Sequence, residues 1–241
     1  MIGREAVINA LREGLALDRI YLDGKAAGFL VDDIKKLALQ VGVPLNYVPK
    51  AKLDGFNITG HEGCVAMIAK VQYHDLQDVI SQVVENGGTP LLLILDGITD
   101  IRNIGGIART AYCSGVNALV IPDKGVGASN EDAILTSAGA LEKIPVCRVN
   151  SLMKTVDLLH MNGIRVVGTV MKADKKIYEC DLKEPCAIIM GSEEKGVYPA
   201  LLKICDEKVS IPMVGDFESL NVSVATGMIL YEVMRQRIQS S

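Results

Sequence analysis

Six short segments between residues 91 and 212 are almost wholly apolar: LLLILD at 91–96, ALVIP at 118–122, PVCRV at 145–149, RVVGTV at 165–170, CAIIMG at 186–191 and KVSIP at 208–212. A strand that shows no polar alternation is buried on both faces. Helical patterns lie between most of these segments, among them SLMKTVDLLHMNG at 151–163 and YPALLKIC at 198–205. Strand and helix in alternation, with strands of this kind, predict an α/β fold built on a parallel sheet with helices on both sides. In open sheets of this class, ligands bind beyond the carboxyl ends of the strands. Four distinctive stretches fall at such ends: DGITDIRNIGG after the first strand, GT at 168–169, GSEEKG at 191–196 and PMVGDFESLN at 212–221.

The residues before this sheet read differently. IGREAVINALREG has helical spacing at Val7, Ile8, Leu11 and Leu15, RIYLDG is a short strand, and FLVDDIKKLALQVG is an amphipathic helix ending at Gly42. PLNYVP and GCVAMIAKV are further strands. Residues 1–75 therefore form a small α/β domain, 76–90 a bridge that begins as a helix and ends in the breaker Asn-Gly-Gly-Thr-Pro, and 91–241 the larger domain.

Charge and cysteine usage narrow the function. A formal net charge of −4 argues against a protein that coats nucleic acid nonspecifically, while leaving room for a local basic patch. The 6 cysteines form no CxxC pair and the 3 histidines lie far apart, so no metal site is expected. Most of the cysteines sit among apolar residues, read as small core residues, and fit a reducing cytoplasm. The longest pure apolar run, LLLIL, is too short to span a membrane, and MIGREAV has no apolar signal core.

GxGxxG and GxxxxGK[ST] are both absent, and GVGASN at 125–130 has the wrong spacing, so the usual dinucleotide and phosphate-loop sites are excluded. In NIGGIART, a helix starting near Asn103 would offer its N–H groups to an anion. Asn103 and Arg109 converge only if Gly105 and Gly106 hold residues 103–106 out of regular helix; otherwise Asn103 is a cap and Arg109 a surface ion-pair residue. Glu193 and Glu194 sit in a glycine-bounded turn that also suits a plain solvated loop. Ser219 or Asn221 can cap the long helix that follows, and this helix is apolar almost all round through Tyr231, as a helix buried on two sides is.

Taken together, NIGGIART, IIMGSEEKGV and IPMVGDFESLNVSVATGMILYE resemble the three motifs of the SpoU/TrmH branch of the SPOUT RNA 2′-O-ribose methyltransferases, in the same order over residues 91–237. IGREAVINAL and GHEGCVAMIAKV resemble the ribosomal-protein-like RNA substrate-recognition domain of family members acting on 23S rRNA. The resemblance implies a trefoil knot in the larger domain, S-adenosyl-L-methionine bound in a bent form within it, and a homodimer with each active site near the subunit interface. Carried over by position, Gly191, Ile211 and Leu220 contact the methyl donor, with Thr169, Gly196, Met213 and Ser223 in the same loops. Asn103, Arg109, Glu193 and Asn221 match the polar catalytic positions. Gly105 and Gly106 would then admit a ribose-phosphate or a partner backbone.

The implied reaction is 2′-O-methylation of a ribose, a guanosine in 23S rRNA before a tRNA nucleotide. A noncatalytic RNA-binding assembly factor is the reading from another class. The chemistry requires no metal. A guanidinium is a poor base, so Arg109 is expected to anchor a phosphate and stabilise oxyanion charge, with the proton passing to Glu193 or water. Arg4, Arg102, Lys172, Lys175 and Lys176 are the candidate phosphate contacts.

Overall fold

The computed structural model describes residues 1–56, 60–68, 71–123, 135–216 and 219–239. GVGASN, with Phe217 and Glu218 of the third motif, lies outside them. The chain divides into two compact units, Met1–Gln72 and Tyr73–Ser241.

In the first unit, α1 (Arg4–Arg12) and α2 (Phe29–Gln40) pack on a three-stranded sheet of β1 (Leu17–Asp23), β2 (Leu45–Val48) and β3 (Cys64–Ile68), ordered β2-β1-β3. β1 runs parallel to β2 and antiparallel to β3. The apolar stripe of α1, Val7, Ile8 and Leu11, meets Val31 and Ile34 of α2 and Ile20 of β1 in one buried cluster. α1 ends at Arg12, so Leu15 lies beyond it and is exposed, against the helical spacing read from sequence. A one-turn helix, α3 (Lys50–Asp54), brings Leu53 onto Val48 and Val65.

The second unit begins with α4 (Leu76–Glu85), capped by the Asp75 carboxylate, which accepts from Asp78 N–H at 3.1 Å. Its Leu76, Val79 and Ile80 enter the core of that unit, so the division falls ahead of this helix rather than within residues 76–90. The remaining strands are β4 (Leu91–Asp96), β5 (Ala118–Pro122), β6 (Val146–Val149), β7 (Arg165–Thr169), β8 (Lys175–Lys176), β9 (Cys186–Gly191) and β10 (Glu207–Ser210). They form a seven-stranded sheet ordered β6-β5-β4-β9-β7-β10-β8, parallel at every pairing. The two latest strands insert between earlier ones, β9 between β4 and β7 and β10 between β7 and β8. The helices are α5 (Ile101–Cys113), α6 (Leu152–Met161), α7 (Pro199–Lys203) and α8 (Val222–Ile238).

Leu92 and Ile94 of the central strand share a cluster with α4, α6 and α7. Leu91, Leu93 and Leu95 alternate to the opposite face and are equally buried. Two covered faces are what the unbroken apolar strands require.

α8 ties the two ends of the sheet together. Its first turn lies at the carboxyl ends of the strands. At its far end Arg237 donates to the carbonyls of Thr89, Pro90, Leu182 and Glu184, just ahead of β4 and β9. The adjacent Gln236 takes Leu182 N–H on its Oε1 and donates to the Cys180 carbonyl.

Candidate active site

The polar residues of the three motifs meet where β9 ends and α8 begins. Glu193 follows β9 in the turn Ser192–Gly196, closed by Gly196 N–H donating to the Ser192 carbonyl at 2.8 Å. The turn needs glycine at its base, because a Cβ on Gly191 would lie 2.1 Å from backbone atoms of Gly196 and Val197. Asp96, at the end of β4, accepts from Tyr198 N–H at 2.7 Å and fixes the far side of this loop.

Asn221 is the cap of α8. Its Oδ1 accepts from the Ser223 and Val224 N–H groups at 3.0 and 3.4 Å and from the Ser223 hydroxyl at 2.5 Å. Its Nδ2 donates to Glu193 Oε1 at 2.7 Å and to Asn103 Oδ1 at 3.0 Å. Glu193 Oε1 also accepts from Asn103 Nδ2 at 3.3 Å and from Val222 N–H at 3.2 Å. One carboxylate oxygen is thus held by three donors, while Oε2 has no partner among the described residues.

The first motif differs from the sequence reading at three points. α5 starts at Ile101, capped by the Asp100 carboxylate on Arg102 N–H, so Asn103 is inside the helix and is not its cap. The helix is regular through both glycines, which therefore do not bring Asn103 and Arg109 together. Six helical residues place those two side chains about 120° apart around the axis. Arg109 is exposed and makes no hydrogen bond or ion pair among the described residues. Lastly, the close neighbours of the glycines belong to this chain. A Cβ on Gly105 would lie 2.5 Å from Thr136 Cβ, and one on Gly106 3.3 Å from Ser223 Cβ. The glycines let α5 approach the 136–137 segment and the first turn of α8.

A cavity of about 110 Å³ opens beside the Glu193 cluster. Of the residues expected at a donor site, Thr169, Gly191, Gly196, Ile211, Met213 and Leu220 line it. Ser223 does not; its hydroxyl is spent on Asn221 and its Cβ faces Gly106. Thr169 turns its hydroxyl inward to the Ile189 carbonyl at 2.8 Å, leaving its backbone and methyl to the cavity. The sequence reading missed Met171, Ala225 and Ile229 in the wall. Val222, Ala225 and Ile229 recur at helical spacing, a signal that periodicity offered. Among the described lining residues Glu193 is the only one with a charged side chain.

The buried cysteines are structural. Burial pushes the thiols of Cys147 and Cys180 up to about 12 and that of Cys64 to about 11, as core cysteines require. Among the described residues no group of His, Cys, Asp and Glu has an arrangement that would hold a metal ion. No described helix is long and apolar enough to cross a membrane.

Comparison with known proteins completes the description. Residues 90–231 match the SpoU rRNA Methylase family, and residues 1–74 match the RNA 2′-O ribose methyltransferase substrate binding family. A TrmH-family protein of Staphylococcus saprophyticus, named a tRNA/rRNA methyltransferase, is 36% identical over 98% of this chain and 95% of its own. A protein of the same name from Bacillus subtilis is 35% identical over 98% and 95%. Among solved structures, the SpoU methyltransferase AviRb from Streptomyces viridochromogenes, in complex with AdoMet, is similar with a TM-score of 0.64 and 24% identity, covering 99% of this chain and 90% of that one.

Proposed function

The chain belongs to the SpoU/TrmH family of S-adenosylmethionine-dependent RNA 2′-O-methyltransferases, with the SPOUT class of fold, and on that premise we propose that it methylates the ribose of a guanosine in 23S rRNA. The observation that carries the proposal is the cavity with Asn103, Glu193 and Asn221 locked together at its edge. The match of residues 1–74 to a substrate-binding family supports RNA as the acceptor.

The cavity suits the donor. Its walls are mostly apolar, as adenine and methylene carbons need, and peptide groups at Gly191, Ile211 and Leu220 are at hand for polar edges. Among the described lining residues no cation repels a sulfonium, and the one charge is a carboxylate. The bound donor supplies an electrophilic methyl group. The protein's part is to hold the ribose 2′-oxygen in line with it, since orientation alone is worth several kcal/mol of barrier. As the ribose oxygen takes the methyl carbon and that carbon's bond to the sulfonium sulfur breaks, its electron pair returning to sulfur, the hydroxyl proton would pass to Glu193 Oε2 or to water. Guanidinium groups keep their proton in proteins, so Arg109 anchors an adjacent phosphate and stabilises the developing oxyanion.

Arg109 performs this role from a second copy of the chain. It stands on the side of α5 away from Asn103, with no partner among the described residues. α8 carries an exposed apolar stripe of Val224, Met228 and Tyr231, at 53%, 45% and 64% exposure. A homodimer that covers this stripe accounts for a helix apolar almost all round and gives Arg109 a site to serve. A reducing cytoplasm suits an rRNA substrate and free, largely buried cysteines.

The test is methyl transfer from labelled donor to unmodified 23S rRNA and, separately, unmodified tRNA, with Arg109→Ala as control. Label in rRNA that the variant loses is the expected result. Label in tRNA alone overturns the substrate assignment. Donor binding without transfer to either RNA overturns both assignments.

A further inference from the structure

A groove beside the donor cavity remains without a role in the account above. It shares Met171, Ile211 and Met213 with the cavity and runs past them to Lys172, Lys176 and Asp216. Three lysines lie in the KADKKIY stretch, and the structure treats them differently. Lys175 is paired with the Glu207 carboxylate, which Arg165 also engages, so its charge is answered from within the chain. Lys176 Nζ is held by two neutral acceptors instead, the Ala173 carbonyl at 3.2 Å and the Ser210 hydroxyl at 3.1 Å. Ser210 is 2% exposed, so this anchor is fixed. No carboxylate pairs with Lys176 Nζ among the described residues, and Glu179 Oε2 takes only the Lys176 backbone N–H, at 2.6 Å. Lys172 is exposed and has no hydrogen bond or ion pair among them.

An ammonium that neutral groups hold in place at an open groove is free to take an anion in a charge-assisted bond. Asp216 lines the same groove and is paired with neither lysine, so among the described residues two cations face one carboxylate. The groove is open and continues past the cavity, which suits a chain of anions better than a single carboxylate. By contrast, Arg102 is already bonded to Asp100 by Nε and Nη2, and Arg4 Nε to the Glu62 carbonyl.

We propose that this groove is a phosphodiester subsite, in which Lys172 and Lys176 hold the RNA strand flanking the nucleotide to be methylated. The proposal rests on the reading of the adjoining cavity as the donor site. It assigns Lys175, one residue from Lys176, no part in RNA binding.

The test measures binding of a labelled single-stranded oligouridylate to the full chain between about 50 and 200 mM salt. Each phosphate contact on a single strand adds about 0.7 to the logarithmic salt slope, so loss of two flattens the change over this range by roughly sevenfold. The Lys172→Ala/Lys176→Ala variant is expected to show that flattening, and Lys172→Arg/Lys176→Arg to restore the slope. Lys172→Ala alone breaks no internal bond and is expected to flatten it between two- and threefold. Lys175→Ala is expected to leave the slope alone. Donor affinity, measured by calorimetry, is expected to be unchanged in all of them. An unchanged slope in Lys172→Ala and in the double variant overturns the proposal. So does a loss of donor affinity with the slope intact, because the groove then serves the donor's carboxylate. Failure of the unaltered chain to bind donor is a different result, one that overturns the cavity assignment itself.

Discussion

The two ends of the parallel sheet use the same side-chain types to opposite purposes. At the amino ends of the strands every prominent charge is answered from within the fold. Glu207 takes Arg165 and Lys175, Asp206 takes His160 and the Val166 N–H, and Arg237 caps four carbonyls. At the carboxyl ends, although Arg102 is paired with Asp100, three charges are left unanswered among the described residues. Glu193 is gripped by one oxygen, Lys176 by neutral groups, and Arg109 by nothing described. The first arrangement stabilises a fold; the second keeps charge available for a ligand. α8 joins them, with Arg237 fastening one end and Asn221 organising the other.

The contrast is broken or sharpened most by Arg109→Ala. Removing an exposed, unpaired cation is expected to lower methyl transfer about 10²- to 10³-fold. Stability should move by less than about 0.5 kcal/mol in urea unfolding. A large loss of stability would mean that Arg109 is structural after all. Gly191→Ala comes next. Its Cβ would meet backbone, so a loss of about 3 kcal/mol is expected, together with loss of donor binding. Arg237→Ala, at the opposite end, is expected to cost about 2–3 kcal/mol while leaving donor affinity of the folded protein unchanged.

A smaller effect follows from pH. Burial alone would raise the Glu207 carboxyl, but hydrogen bonds to Lys175 and Cys180 and the charge of Arg165 hold it below its ordinary 4.5. Its contribution is therefore fully present above 4.5 and is lost as pH falls through the lowered value. Glu207→Gln should flatten the acid limb of stability by under about 1 kcal/mol, the pair being partly solvated. The smallest change is expected from Gly106→Ala. A contact of 3.3 Å to Ser223 Cβ opposes the helical gain of alanine, leaving a net change within about 1 kcal/mol by thermal unfolding.

Much of this was legible in the residues. Unbroken apolar runs located β4, β5, β6, β7, β9 and β10, and the strand-end rule located the cavity. Two-residue β8 was not legible, because pairing with β10 defines it and no local pattern does. Nor was the role of Gly105 and Gly106, whose neighbours Thr136 and Ser223 are distant in sequence. Helical period separated Asn103 from Arg109 once α5 was known to be regular, and that regularity depends on the same distant packing. Ser223 was assigned to the donor by motif position, yet helix geometry turns it toward α5. The bonds joining Asn103, Glu193 and Asn221 lie between three separate segments, which no local pattern can bring together.

The central claim is that the site at the carboxyl end is completed by Arg109 from a second copy. Subunit complementation tests it most directly. Arg109→Ala and Glu193→Gln chains, each expected to be nearly inactive, are co-expressed and the mixture assayed for transfer of labelled methyl to RNA. A shared site leaves one intact centre in each mixed dimer, so recovery of about a quarter of the unaltered activity is expected for random pairing. Activity no higher than that of either variant alone would contradict the claim, and would place Arg109 and Glu193 in the service of the same chain.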